Sequence, residues 1–214
     1  MLSPELEKYI LNHTDPESDL LYELNRQTHL KVYHPEMLAG QLQGKVLEML
    51  SRMICPENIL EIGTFTGYSA ICLAQGLQDN GRLYTIESND ELEGMIRKYF
   101  DRAGIMDRTE LIIGNALEVV PAIDKVFDLV YIDADKREYP EYYKLVIDKV
   151  RPGGYIIADN IFWGGKVIND PKETDEYTKG IMDFNRIVHN DPRVQNVILP
   201  VRDGLMVCRK ISRQ

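Results

Sequence analysis

From Asn58 onward the chain alternates short, almost wholly apolar runs with longer stretches of helical periodicity, and this alternation limits its fold more than any other feature. The apolar runs cover 59–62, 82–86, 110–113, 127–132 and 154–158, lengths that suit strands. Between them, 68–77, 88–103, 116–120 and 139–150 read as helices, the second opened by capping-box spacing in Ser88-Asn89-Asp90-Glu91. Strands joined through helices pair in parallel with right-handed crossovers. Runs that are apolar on both faces fit a sheet covered by helices on both sides. The end differs. A helix with Tyr177, Ile181, Phe184 and Val188 on one face precedes two strand-like runs, 196–201 and 205–209, with the turn signal Asp203-Gly204 between them. The expected fold is α/β, with a mostly parallel sheet, an antiparallel C-terminal hairpin and helices on both faces.

Upstream, helices are expected over 4–11 and 15–27. A third runs to about Ile54, with Leu38, Leu42, Val46, Met49 and Met53 on one face. No repeat, low-complexity tract or linker divides the 214 residues. One domain over 1–214 is expected, with 1–36 as a helical extension and 37–214 as the core. A net charge of -9 argues against tight binding to nucleic acid, which needs clustered Lys and Arg. Cys55, Cys72 and Cys208 form no CxxC pattern, so neither a disulfide framework nor a zinc site is expected. Residues 1–13 lack the apolar core of a signal peptide, and no apolar run is long enough to span a bilayer, which makes the cytoplasm the expected location.

In open α/β sheets, ligands bind beyond the carboxyl ends of the strands. The first strand ends in Glu61-Ile62-Gly63-Thr64-Phe65-Thr66-Gly67-Tyr68-Ser69, whose glycines permit a tight turn and close approach to a ligand. Glu87 ends the second strand, where a carboxylate can accept both hydroxyls of a ribose, and Asn115 and Ala116 follow the third, within reach of an adenine. The third glycine that would seat a pyrophosphate is missing, which favours a nucleoside without phosphates over NAD. Plain turn glycines and a solvated Glu87 remain the alternative.

The fourth strand ends in Asp133-Ala134-Asp135-Lys136 and the fifth in Asp159-Asn160. Adjacent parallel strands would bring Asp133, Asp159 and Asn160 together as two carboxylates and an amide oxygen. These are hard oxygen donors that suit Mg²⁺ and leave coordination positions open. A substrate with adjacent hydroxyls could reach those positions, where a metal lowers a hydroxyl pKa. Lys136, beside such a cation, is the candidate general base. The alternative is that both aspartates cap the helices that follow and that Lys136 is a surface charge.

Taken together, 60–69, the run Tyr131-Ile132-Asp133-Ala134-Asp135-Lys136, the segment 153–160 with Trp163-Gly164-Gly165, and Leu199-Pro200-Val201-Arg202-Asp203-Gly204-Leu205 resemble one family. It is that of the metal-dependent O-methyltransferases, which includes the catechol and caffeoyl-CoA enzymes, and the likeness is greatest to its small bacterial members. The resemblance covers about 37–210 and implies a single-domain Rossmann-like methyltransferase with S-adenosylmethionine as donor. It implies that Glu61, Gly63 and Ser69 surround the methionine end, with Thr64 and Gly67 in the same loop. Met37 would offer its backbone, Glu87 would hold the ribose, and Asn115 and Ala116 would meet the adenine. Asp133 would serve cofactor and metal together, joined by Asp159 and Asn160 at a divalent ion, Mg²⁺ by preference, with Lys136 as base. The implied reaction is one in-line displacement on the sulfonium methyl group, leaving S-adenosylhomocysteine. A hydroxylated aromatic small molecule is the implied acceptor and a homodimer the implied assembly.

Where the mammalian catechol enzymes place a Glu on the penultimate strand, Val197 stands here. Trp163 and Arg202 are offered instead as walls of the acceptor pocket, and Tyr139 as a further one. His13, His29, His34 and His189 form no pattern. Some bacterial relatives methylate a hydroxyuridine of tRNA, so tRNA stays an alternative acceptor. An NAD-dependent oxidoreductase or an inactive binding domain fits the motifs less well.

Overall fold

The computed structural model describes residues 3–170 and 175–211; 1–2, 171–174 and 212–214, which fall within the expected single domain, lie outside the described residues. Three helices come first, α1 (Pro4–Asn12), α2 (Asp19–Lys31) and α3 (Gly40–Ile54). Then strands and helices alternate: β1 (Asn58–Ile62), α4 (Tyr68–Ala74), β2 (Arg82–Glu87), α5 (Glu93–Arg102), β3 (Thr109–Ile113), α6 (Ala116–Ala122), β4 (Phe127–Ile132), α7 (Tyr139–Ile147) and β5 (Val150–Ala158). The chain closes with α8 (Glu176–Asn190), β6 (Val194–Leu199) and β7 (Leu205–Lys210).

The seven strands lie in the order β3-β2-β1-β4-β5-β7-β6. The first five are parallel; β7 runs antiparallel to both β5 and β6. The expected hairpin is therefore present, with its second strand slotted between β5 and the edge. Alternate residues of each strand feed two separate cores. Leu60, Ile62, Val130, Ile132, Ile156 and Ala158 pack with Tyr139, Tyr143, Ile181 and Phe184 from α7 and α8. Ile59, Leu83, Leu129, Tyr131 and Ile157 face the other way, toward Leu47, Ile71 and Ile96 from α3, α4 and α5. A strand buried on both faces needs apolar residues at every position, which is why the runs are unbroken.

Several local expectations need correction. α2 starts at Asp19, where Ser18 accepts from the Leu21 backbone N–H, later than the pattern suggested. Asn89, not Ser88, is the cap after β2, and a 3₁₀ turn, Asp90–Leu92, precedes α5. β5 begins at Val150, paired to Phe127 across a bulge, and so absorbs the end of the expected helix. β6 ends at Leu199, leaving a five-residue loop, 200–204, where a tighter turn was expected. The expected apolar stripe of α3 faces inward only in part: Leu38, just ahead of the helix, is buried and Val46 packs on the core. The helix's buried positions are Gln43, Gly44, Leu47 and Ser51, while Met49 and Met53 are 54% and 77% exposed. Gly44 and Ser51 are small, and a Cβ on Gly44 would come within 2.6 Å of the Tyr68 ring. Close approach of α3 to α4 has selected that face over the greasier one.

Candidate active site

The sheet's switch point falls between β1 and β4, whose chain continuations turn to opposite sides. The two candidate half-sites meet there. After β1, Gly63 has φ 96°, a region open to glycine, and a Cβ on it would sit 2.0 Å from the Asp133 carbonyl oxygen. The Asp133 N–H donates to the Ile62 carbonyl at 2.9 Å, so the ends of β1 and β4 are in direct contact.

On the β1–β2 side, Glu61 is fully buried and pairs in register with Thr85. Its two oxygens accept from Ser69 Oγ at 2.6 Å and Thr85 Oγ1 at 2.5 Å, and Thr64 Oγ1 lies 2.5 Å from Thr85 Oγ1. Burial pushes the Glu61 carboxyl up to about 8, against the two hydroxyl hydrogen bonds and with help from the Asp133 and Glu87 charges. Glu87 is buried too. It accepts from the backbone N–H of Phe65 at 2.7 Å and of Asn89 at 2.9 Å, and burial raises its carboxyl despite these bonds. Gly67, Tyr68 and Ser69 form the start of α4, whose N–H groups open toward the same crevice. Asn115 is exposed and caps α6 by accepting from the Leu117 N–H at 2.8 Å; Ala116 is buried behind it. Met37 is exposed in a 3₁₀ turn, Pro35–Met37, just before α3.

On the β4–β5 side, Ile132 pairs with Ala158, so Asp133 and Asp159 are the next residues on two paired strands. Asp159 is 3% exposed, and burial together with the Asp133 charge pushes its carboxyl up to about 7. Its Oδ1 accepts from the Asn160 N–H at 2.7 Å. Its Oδ2 accepts from Gln43 Nε2 and, at 3.3 Å, from the Tyr131 hydroxyl. Asn160 has φ 55°, a left-handed conformation that Asn tolerates better than most residues, at the point where the chain leaves the strand. Lys136 is only 7% exposed. Its Nζ donates to Asp133 Oδ1 and to the Tyr139 hydroxyl, both at 2.7 Å. Gly180 on α8 lets that helix press on this turn, since a Cβ there would lie 2.2 Å from the Lys136 carbonyl oxygen.

Tyr139, offered as a pocket wall, is instead fully buried. Its hydroxyl lies 3.1 Å from the Asp159 carbonyl and 3.2 Å from that of Ile132, and burial with the Asp133 charge holds it far above its usual pKa, hence neutral. Tyr142 and Tyr143 are packed as well, on Glu138 and Asp191. Trp163 stacks on the half-exposed Tyr177 at 6.0 Å and 18°, with the Arg137 guanidinium 4.9 Å from the Tyr177 ring. Val197 is exposed on β6, opposite Val207. Arg202 directs Nη1 to the carbonyls of Leu38 and Ala39 and to Gln43 Oε1.

Among the described residues, no three His, Cys, Asp or Glu side chains are placed to hold a metal ion. A cation at this edge would rest on Asp133, Asp159 and the Asn160 amide. The donor set fits one: among the described residues a single ammonium, that of Lys136 on Asp133, accompanies two carboxylates in a mostly buried setting, which leaves negative charge uncompensated. A cavity of about 410 Å³ opens elsewhere, lined by Glu17, Lys45, Tyr68 and Cys72, and holds none of the strand-end residues. The strand ends carry the convergent polar groups and the raised carboxyls, which makes them the candidate site. Gln43, Tyr131 and Thr85 were not anticipated. Thr85 and Tyr131 each left a signal, lying two residues before Glu87 and Asp133 at the ends of their strands, and Gln43 left none.

Comparison with known proteins bears on what such an edge is for. A family model described as O-methyltransferase matches residues 11–211. The chain is 32% identical to caffeoyl-CoA O-methyltransferase 1 of Eucalyptus globulus, over 92% of this chain and 90% of that one. It is 36% identical to a catechol O-methyltransferase of Niastella koreensis, over 77% and 76%. Among solved structures, the O-methyltransferase TomG of Streptomyces achromogenes, in complex with S-adenosylmethionine, superposes with a TM-score of 0.91 at 30% identity, covering 99% of this chain and all of that one. An O-methyltransferase of Bacillus cereus bound to S-adenosylhomocysteine gives 0.86 at 32% identity, over 96% and 97%.

Proposed function

The chain belongs to the O-methyltransferase family, and from that premise we propose that it transfers the methyl group of S-adenosylmethionine to a hydroxyl of a catechol-like or phenolic small molecule, with a divalent metal at Asp133, Asp159 and Asn160. One observation carries the reading: β4 and β5 end in register on two carboxylates, and among the described residues the only ammonium hydrogen-bonded to them is that of Lys136. In the reaction the acceptor oxygen forms a bond to the methyl carbon as the carbon–sulfur bond breaks, giving a methyl ether and S-adenosylhomocysteine. A bound Mg²⁺ would supply Lewis acidity, lowering the pKa of the acceptor hydroxyl.

The chain's own residues do the rest. Glu87, fixed by two backbone N–H groups, keeps free lone pairs for the ribose hydroxyls. Glu61 with Ser69, and the loop of Gly63, Thr64 and Gly67, shape the methionine end; Met37, Asn115 and Ala116 border the nucleoside. Lys136 receives the acceptor proton on Nζ. As a neutral amine, Nζ can donate its two N–H groups to Asp133 Oδ1 and the Tyr139 hydroxyl and keep its lone pair for that proton. Tyr139 stays protonated and keeps Nζ aimed at the crevice. Catalysis then rests on alignment and on charge stabilisation.

We read 1–214 as one domain. Support comes from α2, which buries Leu24 and joins Thr28 to Thr66 at 3.0 Å, seating the extension on the core. The three unpaired cysteines suit a cytoplasmic setting, and the exposed stripe of α3 suits a homodimer, which light scattering would test. The deciding experiment for the reaction is a screen of catechols, flavonoids, hydroxycinnamates and tRNA with labelled donor, before and after chelation. Activity on phenolic acceptors that EDTA removes and Mg²⁺ restores supports the reading. Full activity after chelation sinks the metal assignment, and methylation of tRNA alone sinks the acceptor class.

A further inference from the structure

Asp133 and Asp159 are held from opposite helical layers. Lys136, beside α7 and α8, holds Asp133; on the other face α3 reaches Asp159 through Gln43, which is fully buried. The Gln43 amide sits between two groups that cannot exchange roles. Its Nε2 donates to Asp159 Oδ2 and, at 2.9 Å, to the Tyr131 hydroxyl; its Oε1 accepts from Arg202 Nη1 at 3.3 Å. An ionised carboxylate only accepts and a guanidinium only donates, so a flipped amide would lose both bonds.

Arg202 is itself braced. It lies in the 200–204 loop with φ 49° and donates to the Leu38 and Ala39 carbonyls. The same loop takes the Phe162 N–H on the Asp203 carbonyl at 2.9 Å, the Ile161 N–H on Gly204 at 3.2 Å, and the Gly164 N–H on the Asp203 carboxylate at 2.8 Å. Those residues directly follow Asn160. The hydrogen bonds therefore close a ring: Asp159, Gln43, Arg202, the 200–204 loop, then back to the strand end that carries Asp159 and Asn160.

We propose that Gln43 is a positioning residue that fixes the Asp159 carboxylate for cation binding, with Arg202 setting the direction of its amide. The proposal rests on the metal reading above. Side chains that orient metal ligands typically change affinity or activity about 10–100-fold when removed.

The test uses the full-length enzyme, with Mn²⁺ as probe, counted as free ion by electron paramagnetic resonance, alongside steady-state kinetics. Gln43→Leu keeps volume and removes the amide. It should weaken Mn²⁺ binding about 10-fold or more and lower kcat by a similar factor, with KM for S-adenosylmethionine within about 2-fold. Arg202→Met, farther from the carboxylate, should weaken Mn²⁺ about 3-fold or more and gives the same readout if Gln43→Leu does not fold. Tyr131→Phe, which leaves the amide in place, should do less than Gln43→Leu. Unchanged Mn²⁺ affinity in Gln43→Leu, or in Arg202→Met where that variant stands in, overturns the positioning role while the metal site stands. A parent enzyme that binds no Mn²⁺ overturns the metal reading itself, and this proposal with it.

Discussion

At the ends of β1 and β2, the hydrogen bonds to Glu61 and Glu87 among the described residues come from neutral donors, two hydroxyls on the one and backbone N–H groups on the other. At the ends of β4 and β5, Asp159 feels the Asp133 charge, and among the described residues one lysine, Lys136, is hydrogen-bonded to Asp133. Both regions hold acids at strand ends beside the same switch point, and on the proposed reading they take different ligands. Neutral donors hold a carboxyl in place and leave it able to accept from a polar, uncharged group such as a sugar hydroxyl. Facing carboxylates with one counter-charge are prepared for a cation. On that reading, burial alone does not separate the proposed nucleoside edge from the proposed metal edge; the charge of the neighbours does.

The largest test of this contrast is Asp159→Ala. It should cut turnover about 10³-fold, or ~4 kcal/mol in transition-state stabilisation, while S-adenosylhomocysteine affinity by calorimetry stays within about 3-fold. Equal losses in both would merge the two regions into one.

Next comes Glu61→Gln. A carboxyl whose folded pKa is raised binds its proton more tightly when folded. Its contribution to stability is thus present at low pH and is lost as pH rises from about 4.5 through about 8. The variant should gain on the parent across that window, on the order of a few kcal/mol at most. Melting curves of the two proteins that stay parallel from pH 5 to 9 would count against a neutral buried Glu61.

Glu87→Ala should weaken S-adenosylmethionine binding by about 2 kcal/mol, roughly 30-fold, with kcat at saturation little changed. A loss confined to kcat would move Glu87 out of the nucleoside edge. The smallest effect belongs to Asn115→Ala, which removes the cap of α6 and should cost about 1 kcal/mol of stability, recovered by Asn115→Asp. No change on denaturant unfolding would leave the cap without energetic weight.

The central strands β1, β2 and β4 were legible because each is buried on two sides and so reads as a nearly unbroken apolar run. Glu61, Glu87, Asp133, Lys136 and Asp159 were legible because they stand where such runs stop. Gln43 was not, since it lies in mid-helix, and its partners Asp159 and Arg202 are 116 and 159 residues away in sequence. The inward face of α3 was misjudged for a related reason. Periodicity finds the apolar stripe, but close packing against α4 chose Gly44 and Ser51. Tyr139 shows the limit once more: it was offered as a pocket wall, and the hydroxyl's hold on Lys136 is written in no local pattern.

The place of β7 has a consequence for how the molecule is made. Of the seven strands it is the last to leave the ribosome, yet it lies inside the sheet, pairing Tyr155 to Ala158 on one side and all of β6 on the other. During synthesis, then, β5 waits with a bare edge, and the loop that carries Arg202 has no second strand to anchor it. Translation at about 5–20 residues per second leaves that edge open for seconds. A nascent chain at that stage offers an unpaired, apolar strand to any neighbour, which is the point at which a chaperone is most needed.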